Sequence, residues 1–223
     1  QGRDIKMSER RVEGYRHFIN KLWNAARFSL MNMGEAAPAA PAALTESLSL
    51  PDRWILSRLH QAMETYMDAL DAYRFNEAAG TLYQFIWHEF CDWYLEAVKP
   101  TLYGEKGETE KAASLYVLWR TLKDALILLH PFIPFVTEEI WHKLPGTKGS
   151  IMTARFPADE QTQPTIRRDP DAEVQMALVM DVITGIRNIR GEMNIAPSVS
   201  LAVSIQSPDE ATRQLLTAHK EII

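Results

Sequence analysis

The stretch from Ser8 to Met31 constrains the fold of this chain more than any other part of the sequence. Read as a helix at about 100° per residue, it carries apolar side chains on one side at intervals of three or four residues. This apolar stripe contains Val12, Tyr15, Ile19, Leu22 and Ala26, with Trp23 at its edge. The spacing predicts a long helix whose stripe packs into the core of a helical bundle.

The opposite side of the same helix carries a second series of residues, which we call the polar row. Its members are Arg10, Gly14, His17, Lys21, Asn24 and Phe28, and Asn20 lies on its flank. Cations can meet phosphate, amides can bind base edges, and an exposed ring can stack on an unpaired base. The row therefore indicates a surface for single-stranded nucleic acid. The alternative is an ordinary solvated face on which Phe28 covers a neighbouring helix or loop.

Positive charge is concentrated around this helix. Residues 3 to 27 hold seven Lys and Arg side chains against three acids, a surplus of four, although the whole chain has a formal net charge of −5. A local basic patch favours contact with a polyanion, and the acidity of the whole chain argues against general polyanion binding. The seven cations are Arg3, Lys6, Arg10, Arg11, Arg16, Lys21 and Arg27.

Length and composition limit the class of protein. A chain of 223 residues that is 46% hydrophobic fits one large domain, or one domain with a small appendage. The single cysteine, Cys91, excludes an intrachain disulfide framework and a Cys-rich zinc site, and its apolar helical surroundings predict a buried, unreactive thiol.

The N-terminal sequence and the hydropathy of the chain bear on its cellular location. No leader peptide opens the chain, and no apolar run reaches the length of about 18 residues that a membrane span needs. We therefore expect a soluble, cytoplasmic protein. Because the chain lacks an initiator methionine and ends abruptly, we also expect it to be a fragment.

Apolar periodicity predicts five further helices. Four are expected at 51–73, 76–98, 108–129 and 135–144, after an Ala/Pro-rich flexible connection at 34–49. A polar, irregular segment with a short strand at 151–154 follows. The last long helix is expected from Asp169-Pro170, with an inner stripe of Val174, Ala177, Leu178, Val182 and Ile186.

The pattern changes at Val199, where apolar and polar residues alternate as in a half-buried strand. A helix capped by residues 207–209 should follow. The predicted fold is thus mainly α. It consists of a helical bundle at 1–144, an irregular connection and a further bundle helix at 145–198, and the start of a truncated α/β subdomain at 199–223.

Two other groups of residues are candidates for chemistry. His88, Glu89, Asp92 and Glu96 suggest a metal or acid–base site, but hydrogen bonding within the bundle explains them as well, because no partner motif occurs elsewhere. Arg187 and Arg190 form a second small basic spot, which the preference of helix C-termini for cations explains equally well.

Six segments carry a resemblance to one family, at 2–5, 13–16, 20–28, 87–96, 129–141 and 186–195. The His-Pro-Phe and Thr-Glu-Glu of 129–141 are similar to isoleucyl and leucyl enzymes too, whereas Ile186-Arg187-Asn188-Ile189-Arg190 with Glu192-Met193-Asn194-Ile195 is more particular to one branch. From Gly2 to about Ser198 the chain resembles the anticodon-binding domain of bacterial valyl-tRNA synthetases, members of class Ia of the aminoacyl-tRNA synthetases.

This resemblance implies a helix bundle that docks on the anticodon stem and loop of tRNA(Val), with the first helix at the anticodon bases. Matched position by position, it implies tRNA contacts at Arg10, Asn20, Lys21, Asn24 and Phe28, all but Asn20 on the polar row. His17 stands where relatives often have Asn, and the Ala/Pro loop at 36–43 resembles an insertion, so their roles stay open. We also include His17, Arg187 and Arg190 as tRNA-binding candidates.

The resemblance also implies a parent enzyme in which a catalytic domain and an editing domain precede this chain and a coiled coil follows it. ATP with magnesium would act in that catalytic domain, which joins valine to tRNA. The chain itself is then expected to bind and orient tRNA as a monomer, with no catalytic site, cofactor or metal of its own.

Three hypotheses remain at this point. In the first, the chain is a tRNA-binding module of a valyl enzyme or of another class Ia enzyme, such as the isoleucyl one. In the second, it is a helical scaffold that binds an acidic protein. In the third, it is an independent enzyme. The last would use His88, Glu89, Cys91 and Asp92, which belong to a crowded aromatic helix without a visible cleft.

Overall fold

The computed structural model describes residues 8–41, 44–104, 107–157, 167–196 and 198–223, without the side chain of Arg11. Within these ranges the regular structure is helical, which confirms the mainly α prediction, and no strand is present. The chain divides into two compact units, residues up to 168 and residues 169–223. The expected boundaries at 144/145 and 198/199 describe a different division and stay predictions.

The first unit is built on a few long helices, and all the helices predicted for it are present. They are α1 (Glu9–Asn32), α2 (Leu44–Ser47), α3 (Leu50–Asp71), α4 (Phe75–Gln84), a π-helical segment (Phe85–Tyr94), α5 (Leu95–Ala97), α6 (Lys99–Leu102), α7 (Glu108–Leu129) and α8 (Pro134–Trp141). Helix α3 packs against α4, the π segment and α7, while α1 lies across the π segment, α7 and α8. None of the helices in the ranges given above is long and apolar enough to cross a membrane.

A buried carboxylate, Asp52, connects three of these helices. Ser49 caps α3, because its hydroxyl accepts from the Asp52 N–H at 3.4 Å while its own N–H donates to the Asp52 carboxylate at 3.2 Å. Tyr94 of the π segment donates to the same carboxylate at 2.9 Å, and Ser114 of α7 donates at 2.6 Å. Burial raises the pKa of Asp52, and these hydrogen bonds oppose the rise. We call these four residues the Asp52 hub.

The π segment explains how apolar residues spaced four apart can all face the core, which they would not do in a regular α-helix. Leu82, Ile86, Phe90 and Tyr94 are all buried and lie four residues apart. In an α-helix each such step drifts by about 40°, so three steps would carry the last side chain off the core face. The wider turn of a π-helix, closed by i→i+5 bonds, keeps these residues on one side. The helix predicted at 76–98 is confirmed, but its widening was not predicted.

Two connections differ from what the sequence led us to expect. The strand expected at 151–154 is a 3₁₀ turn (Ile151–Thr153), because the Ser150 hydroxyl accepts from the Met152 N–H and caps it. In the Ala/Pro connection, of which residues 42–43 are outside the described ranges, Ala37 packs on a turn. A Cβ added to Gly146, whose φ is 80°, would lie 2.5 Å from the Ala37 Cβ, so this contact requires glycine.

The second unit contains α9 (Pro170–Glu192) and α10 (Glu210–Ala218), capped by Asp169 and Asp209. The position of α9 was predicted, but its inner stripe was wrong. Val174 and Ala177 are exposed, and Leu178, Val182 and Ile186 are only half-buried. The buried residues, again three or four apart, are Ala172, Met176, Val179 and Ile183.

The strand expected from Val199 does not form within the described residues. The segment 200–206 has no regular secondary structure, and its apolar side chains are exposed. A strand becomes stable only when a neighbouring strand satisfies its backbone groups, and no such neighbour is present in this part of the chain. The α/β appendage is therefore not formed here, although its helix α10 is.

Candidate nucleic-acid interface

The side of α1 that is buried differs from the predicted apolar stripe. Val12 and Tyr15 are exposed by 53% and 64%, so the prediction was wrong for these two residues. The buried residues of α1 are Phe18, Leu22, Ala25, Ala26 and Ser29. At about 100° per residue, the centre of this set lies roughly 60° around the helix from the centre of the predicted stripe. Apolar periodicity shows which side chains could be buried, but it does not show where another element covers the helix.

The polar row lies at the surface. Arg10, Gly14, His17, Asn24 and the flanking Asn20 are exposed, while Lys21 and Phe28 are half-buried. None of the described side chains from Ser8 to His17 is buried, so the first turns of α1 extend beyond the core. Arg3, Lys6 and the side chain of Arg11, all counted in the basic surplus, lie outside the described residues.

Lys21 is held by the π segment. Its ammonium forms an ion pair with Asp92 and lies 4.1 Å from the centre of the Trp87 ring. The other oxygen of Asp92 is 3.3 Å from Nδ1 of His88, one helical turn earlier. The Lys21 cation is thus fixed at the surface by a carboxylate that an RNA phosphate would have to replace.

Three aromatic rings fix the middle of α1 to the helix behind it. Phe18 stacks on Tyr83 with the ring centres 5.0 Å apart, and Tyr83 stacks on Trp87 at 5.6 Å. Such pairs add about 0.5–1.5 kcal/mol each to the burial of their area. This contact determines the rotation of α1, and hence which residues of the polar row face solvent.

Phe28 is half-buried, so part of its ring remains accessible to a base. The ammonium of Lys99, in α6, lies 5.8 Å from the ring centre and also donates to both oxygens of Glu96, at 2.7 and 2.6 Å. Lys99 places positive charge beside the Phe28 ring. The contact between Lys99 and Phe28 was not predicted, because the two residues are 71 positions apart in the sequence and no local pattern links them.

The two arginines of the second unit are placed differently. Arg187 is exposed. The guanidinium of Arg190 donates to the carbonyls of Ala196 and Val199 at 2.7 and 2.9 Å, and so fastens the turn after α9. That turn is a Schellman motif with Asn194 at φ 52°, in which the N–H of residue 195 donates to the Arg190 carbonyl at 2.9 Å.

The residues of the enzyme hypothesis are engaged with neighbours in the bundle. Arg58 binds Glu89 through two hydrogen bonds, at 3.1 and 2.7 Å. Burial raises the pKa of Cys91 to about 12, so its thiol stays protonated and is a poor nucleophile. No cluster of three or more His, Cys, Asp or Glu side chains suited to a metal occurs in the described part of the chain. His130, at the α7–α8 junction, contacts the Thr137 hydroxyl at 2.8 Å.

The amino-acid sequence of this chain is similar to those of several known proteins. The chain is 51% identical to a valine–tRNA ligase of Geobacter sulfurreducens over 97% of its own length, and 48% identical to that of Nitratidesulfovibrio vulgaris over 100%. A valine–tRNA ligase of Aquifex aeolicus is 38% identical over the whole chain. The chain spans 24% of the length of the first two relatives and 20% of the third.

A family profile gives the same assignment independently. The profile described as the anticodon-binding domain of tRNA ligase matches residues 52–205, from the first turn of α3 to beyond the end of α9. Because this match covers more than half of the chain, the chain belongs to the family of anticodon-binding domains of tRNA ligases.

Proposed function

We propose that this chain is the anticodon stem-loop recognition module of a valine–tRNA ligase, and that the polar row of α1 binds the anticodon loop of tRNA(Val). The observation that supports this most is the exposed row itself, in which an aromatic ring remains accessible between cations and amides. The similarity to valine–tRNA ligases over nearly the whole chain supports the choice of tRNA.

Different residues of the polar row would contact different parts of the RNA. Phe28 stacks on an unpaired base, which contributes about 1–3 kcal/mol and tolerates any base. Asn20, Asn24 and His17 carry donors and acceptors that can bind base edges, and so they supply the discrimination. Arg10 and Lys21 neutralise phosphates, which gives affinity and register without sequence information. Arg187 and Arg190 remain candidates for a second phosphate contact.

Lys21 must exchange partners when RNA binds. Its ion pair with Asp92 is partly exposed, with 25% and 40% of the two side chains accessible, and such pairs contribute only about 0.2–1 kcal/mol. A phosphate offers the ammonium a charge-assisted bond of the same kind. The exchange is therefore nearly neutral in energy, and Asp92 keeps the cation in place until the ligand arrives.

The aminoacylation reaction belongs to other parts of the proposed parent enzyme. ATP with magnesium would activate valine in a catalytic domain, an editing domain would remove wrong products, and a coiled coil would follow this chain. The module orients the tRNA and discriminates by differential binding. We place the parent enzyme in the cytoplasm, as a monomer.

An anticodon exchange tests the proposal. The dissociation constant of this chain would be measured by fluorescence anisotropy for the labelled anticodon stem-loop of tRNA(Val) and for the same RNA with only the anticodon bases replaced. Both RNAs carry the same number of phosphates, so the non-specific part of the affinity cancels. We expect binding to weaken about tenfold or more on exchange, from the loss of contacts to base edges. Equal dissociation constants would contradict anticodon recognition.

A further inference from the structure

Gly14 lies within the polar row but has no side chain with which to bind RNA. It is the sixth residue of α1, inside the helix rather than at its end, and it is exposed. Glycine favours the interior of a helix less than any residue except proline, because it loses the most backbone freedom on folding. A glycine at this position therefore has a reason other than helix stability.

Neither backbone conformation nor crowding within the fold requires this glycine. Gly14 has no positive φ, and a Cβ added to it would meet no atom of the described residues within 4 Å, apart from its own helix backbone and chain neighbours. Gly146 shows the contrast, because its φ is 80° and an added Cβ would lie 2.5 Å from the Ala37 Cβ. The described part of the chain thus leaves the surface at Gly14 open to a ligand.

The position of Gly14 in the polar row lies between two cations. At about 100° per residue, Gly14 is within about 40° of both Arg10 and Lys21 around the helix. At about 1.5 Å per residue, it lies about 6 Å after Arg10 and about 10.5 Å before Lys21 along the helix axis. A strand of RNA whose phosphates meet these two cations therefore passes over Gly14.

The bare backbone at Gly14 admits a ligand closer to the helix axis than a side chain would. Backbone Cα atoms lie about 2.3 Å from the axis, whereas side chains extend to about 5–6 Å. A helical side chain leans over the turn on its N-terminal side, so a side chain at residue 14 would cover the carbonyls of that turn. One of these is the carbonyl of Arg10, which accepts from the Gly14 N–H in an α-helix and keeps a second lone pair.

The helix backbone at this point fits a ribose better than a phosphate. The N–H groups after the first turn donate within the helix, as that of Val12 does to the Ser8 carbonyl at 3.2 Å, so only carbonyl acceptors remain. Phosphate oxygens are acceptors as well, whereas the ribose 2′-hydroxyl can donate. Resting on the proposed function, we propose that a ribose of the anticodon loop packs on the backbone of α1 at Gly14 and donates its 2′-hydroxyl to a carbonyl of the preceding turn.

This contact sets the position of the RNA strand along α1. Phe18, one turn after Gly14, is buried and stacks on Tyr83, so the bundle holds this part of the helix. A ribose seated on a fixed backbone determines which bases reach Asn20 and Asn24. Gly14 thereby contributes to discrimination although it contacts no base edge.

Side chains of increasing size at residue 14 test the contact. Gly14→Ala and Gly14→Met both favour the helix, so each should raise the melting temperature by about 2–4 °C in circular dichroism. Each should nonetheless weaken binding of the anticodon stem-loop in anisotropy titrations. We expect a loss of about fivefold for alanine, from the hydrogen bond, and about fiftyfold for methionine, from added steric overlap.

Gly80 of α4 supplies the matched control. It is likewise exposed and sixth in its helix, and a Cβ added to it would meet nothing within 4 Å in the described part of the chain, under the same conditions. It borders the groove that Tyr15 and Ile19 line, away from the polar row. Gly80→Ala and Gly80→Met should stabilise their helix and leave the dissociation constant of the stem-loop unchanged.

A change in the RNA identifies the ribose. Fluorine in place of the 2′-hydroxyls of the loop removes the donor and adds little bulk. The original chain should bind this RNA about fivefold more weakly, the effect of one lost hydrogen bond. Gly14→Met should bind the two RNAs equally, because its side chain already keeps the ribose from the carbonyl.

Three results would overturn the proposal. Unchanged binding by Gly14→Met would mean that RNA does not approach this residue. Equal losses for alanine and methionine would assign Gly14 to bending of α1, since the two residues have similar helix propensity. A fluorine effect of the same size in Gly14→Met and the original chain would place the ribose elsewhere. The anticodon exchange tests base edges and the size series tests a sugar, so either can fail while the other succeeds.

Discussion

Two carboxylates of the first unit, Asp52 and Asp92, hold their partners in opposite ways. Asp52 is fully buried and accepts hydrogen bonds from Ser49, Tyr94 and Ser114. Asp92 is half-exposed and pairs with Lys21 and His88, both of which reach solvent. A buried group has no alternative partner in water, whereas a partly exposed one does. The first arrangement therefore stabilises the fold, and the second leaves a cation available for exchange.

The sequence predicted the elements of both arrangements but not their pairing. Ser49 precedes the proline-started helix that was expected, and Ser114 and Tyr94 lie on predicted helices. Yet Lys21 and Asp92 are 71 residues apart, and Asp52 and Ser114 are 62 apart, so no local pattern links them. Local periodicity determines where helices begin and end, and the tertiary packing that selects partners depends on contacts far apart in sequence.

The same limit explains the errors in helix orientation. On α1 and α9 the apolar periodicity located the helices correctly, but Val12 and Val174 are exposed. The periodicity of a helix shows which side chains are apolar, but it does not show whether another element covers them, so it cannot separate a buried face from an exposed apolar one. The exposure of the polar row was predicted with more success, although Lys21 and Phe28 are half-buried, because exposure requires only that no other element covers the residues.

The largest expected effect follows from breaking the Asp52 hub. Asp52→Ala would leave the Tyr94 and Ser114 hydroxyls buried without an acceptor and would remove a cap from α3. We expect the free energy of unfolding to fall by about 3–5 kcal/mol, from two orphaned buried donors and the lost cap. Urea denaturation followed by tryptophan fluorescence measures it. Asp92→Ala is the matched control, expected to cost at most about 1 kcal/mol; equal losses would erase the distinction between the two carboxylates.

The next effect separates Phe28 as an RNA contact from Phe28 as a core residue. Phe28→Ala should weaken binding of the anticodon stem-loop by about 1–3 kcal/mol, the contribution of one base stack. Anisotropy titration measures the affinity, and thermal unfolding by circular dichroism measures the stability. Phe135→Ala, at a ring that is exposed elsewhere on the first unit, should change neither. A loss of stability as large as the loss of affinity would place Phe28 in the core instead.

A smaller effect concerns pH and Asp52. Its pKa is raised in the folded protein by burial, so the folded state binds this proton more tightly than the unfolded state does. The stabilisation due to this group is therefore complete below the unfolded pKa and is lost as the pH rises through the folded pKa. Relative to Asp52→Asn, which does not titrate, the original chain should gain stability as the pH falls from 7 towards the ordinary pKa of the carboxyl, 3.8, by at most about 1.4 kcal/mol per pH unit. Urea titrations at both pH values measure the difference. A loss of stability on acidification would mean that the hydrogen bonds lower the pKa of Asp52 more than burial raises it.

The smallest effect tests whether Asp92 yields Lys21 to phosphate. Lys21→Ala should reduce the slope of log K against log salt concentration by about 0.7, the value for one phosphate contact on a single strand. Asp92→Asn keeps the shape of the side chain but removes the competing charge, so the anticodon stem-loop should bind a few-fold more tightly at low salt, with the advantage shrinking as salt screens it. Lys143→Ala serves as the control and should leave the slope unchanged. It removes an exposed lysine that follows α8 and pairs with Glu139 of that helix at 2.8 Å. If Asp92→Asn weakens binding instead, then Asp92 positions Lys21 in the complex as well as before it, and the two carboxylates are both structural.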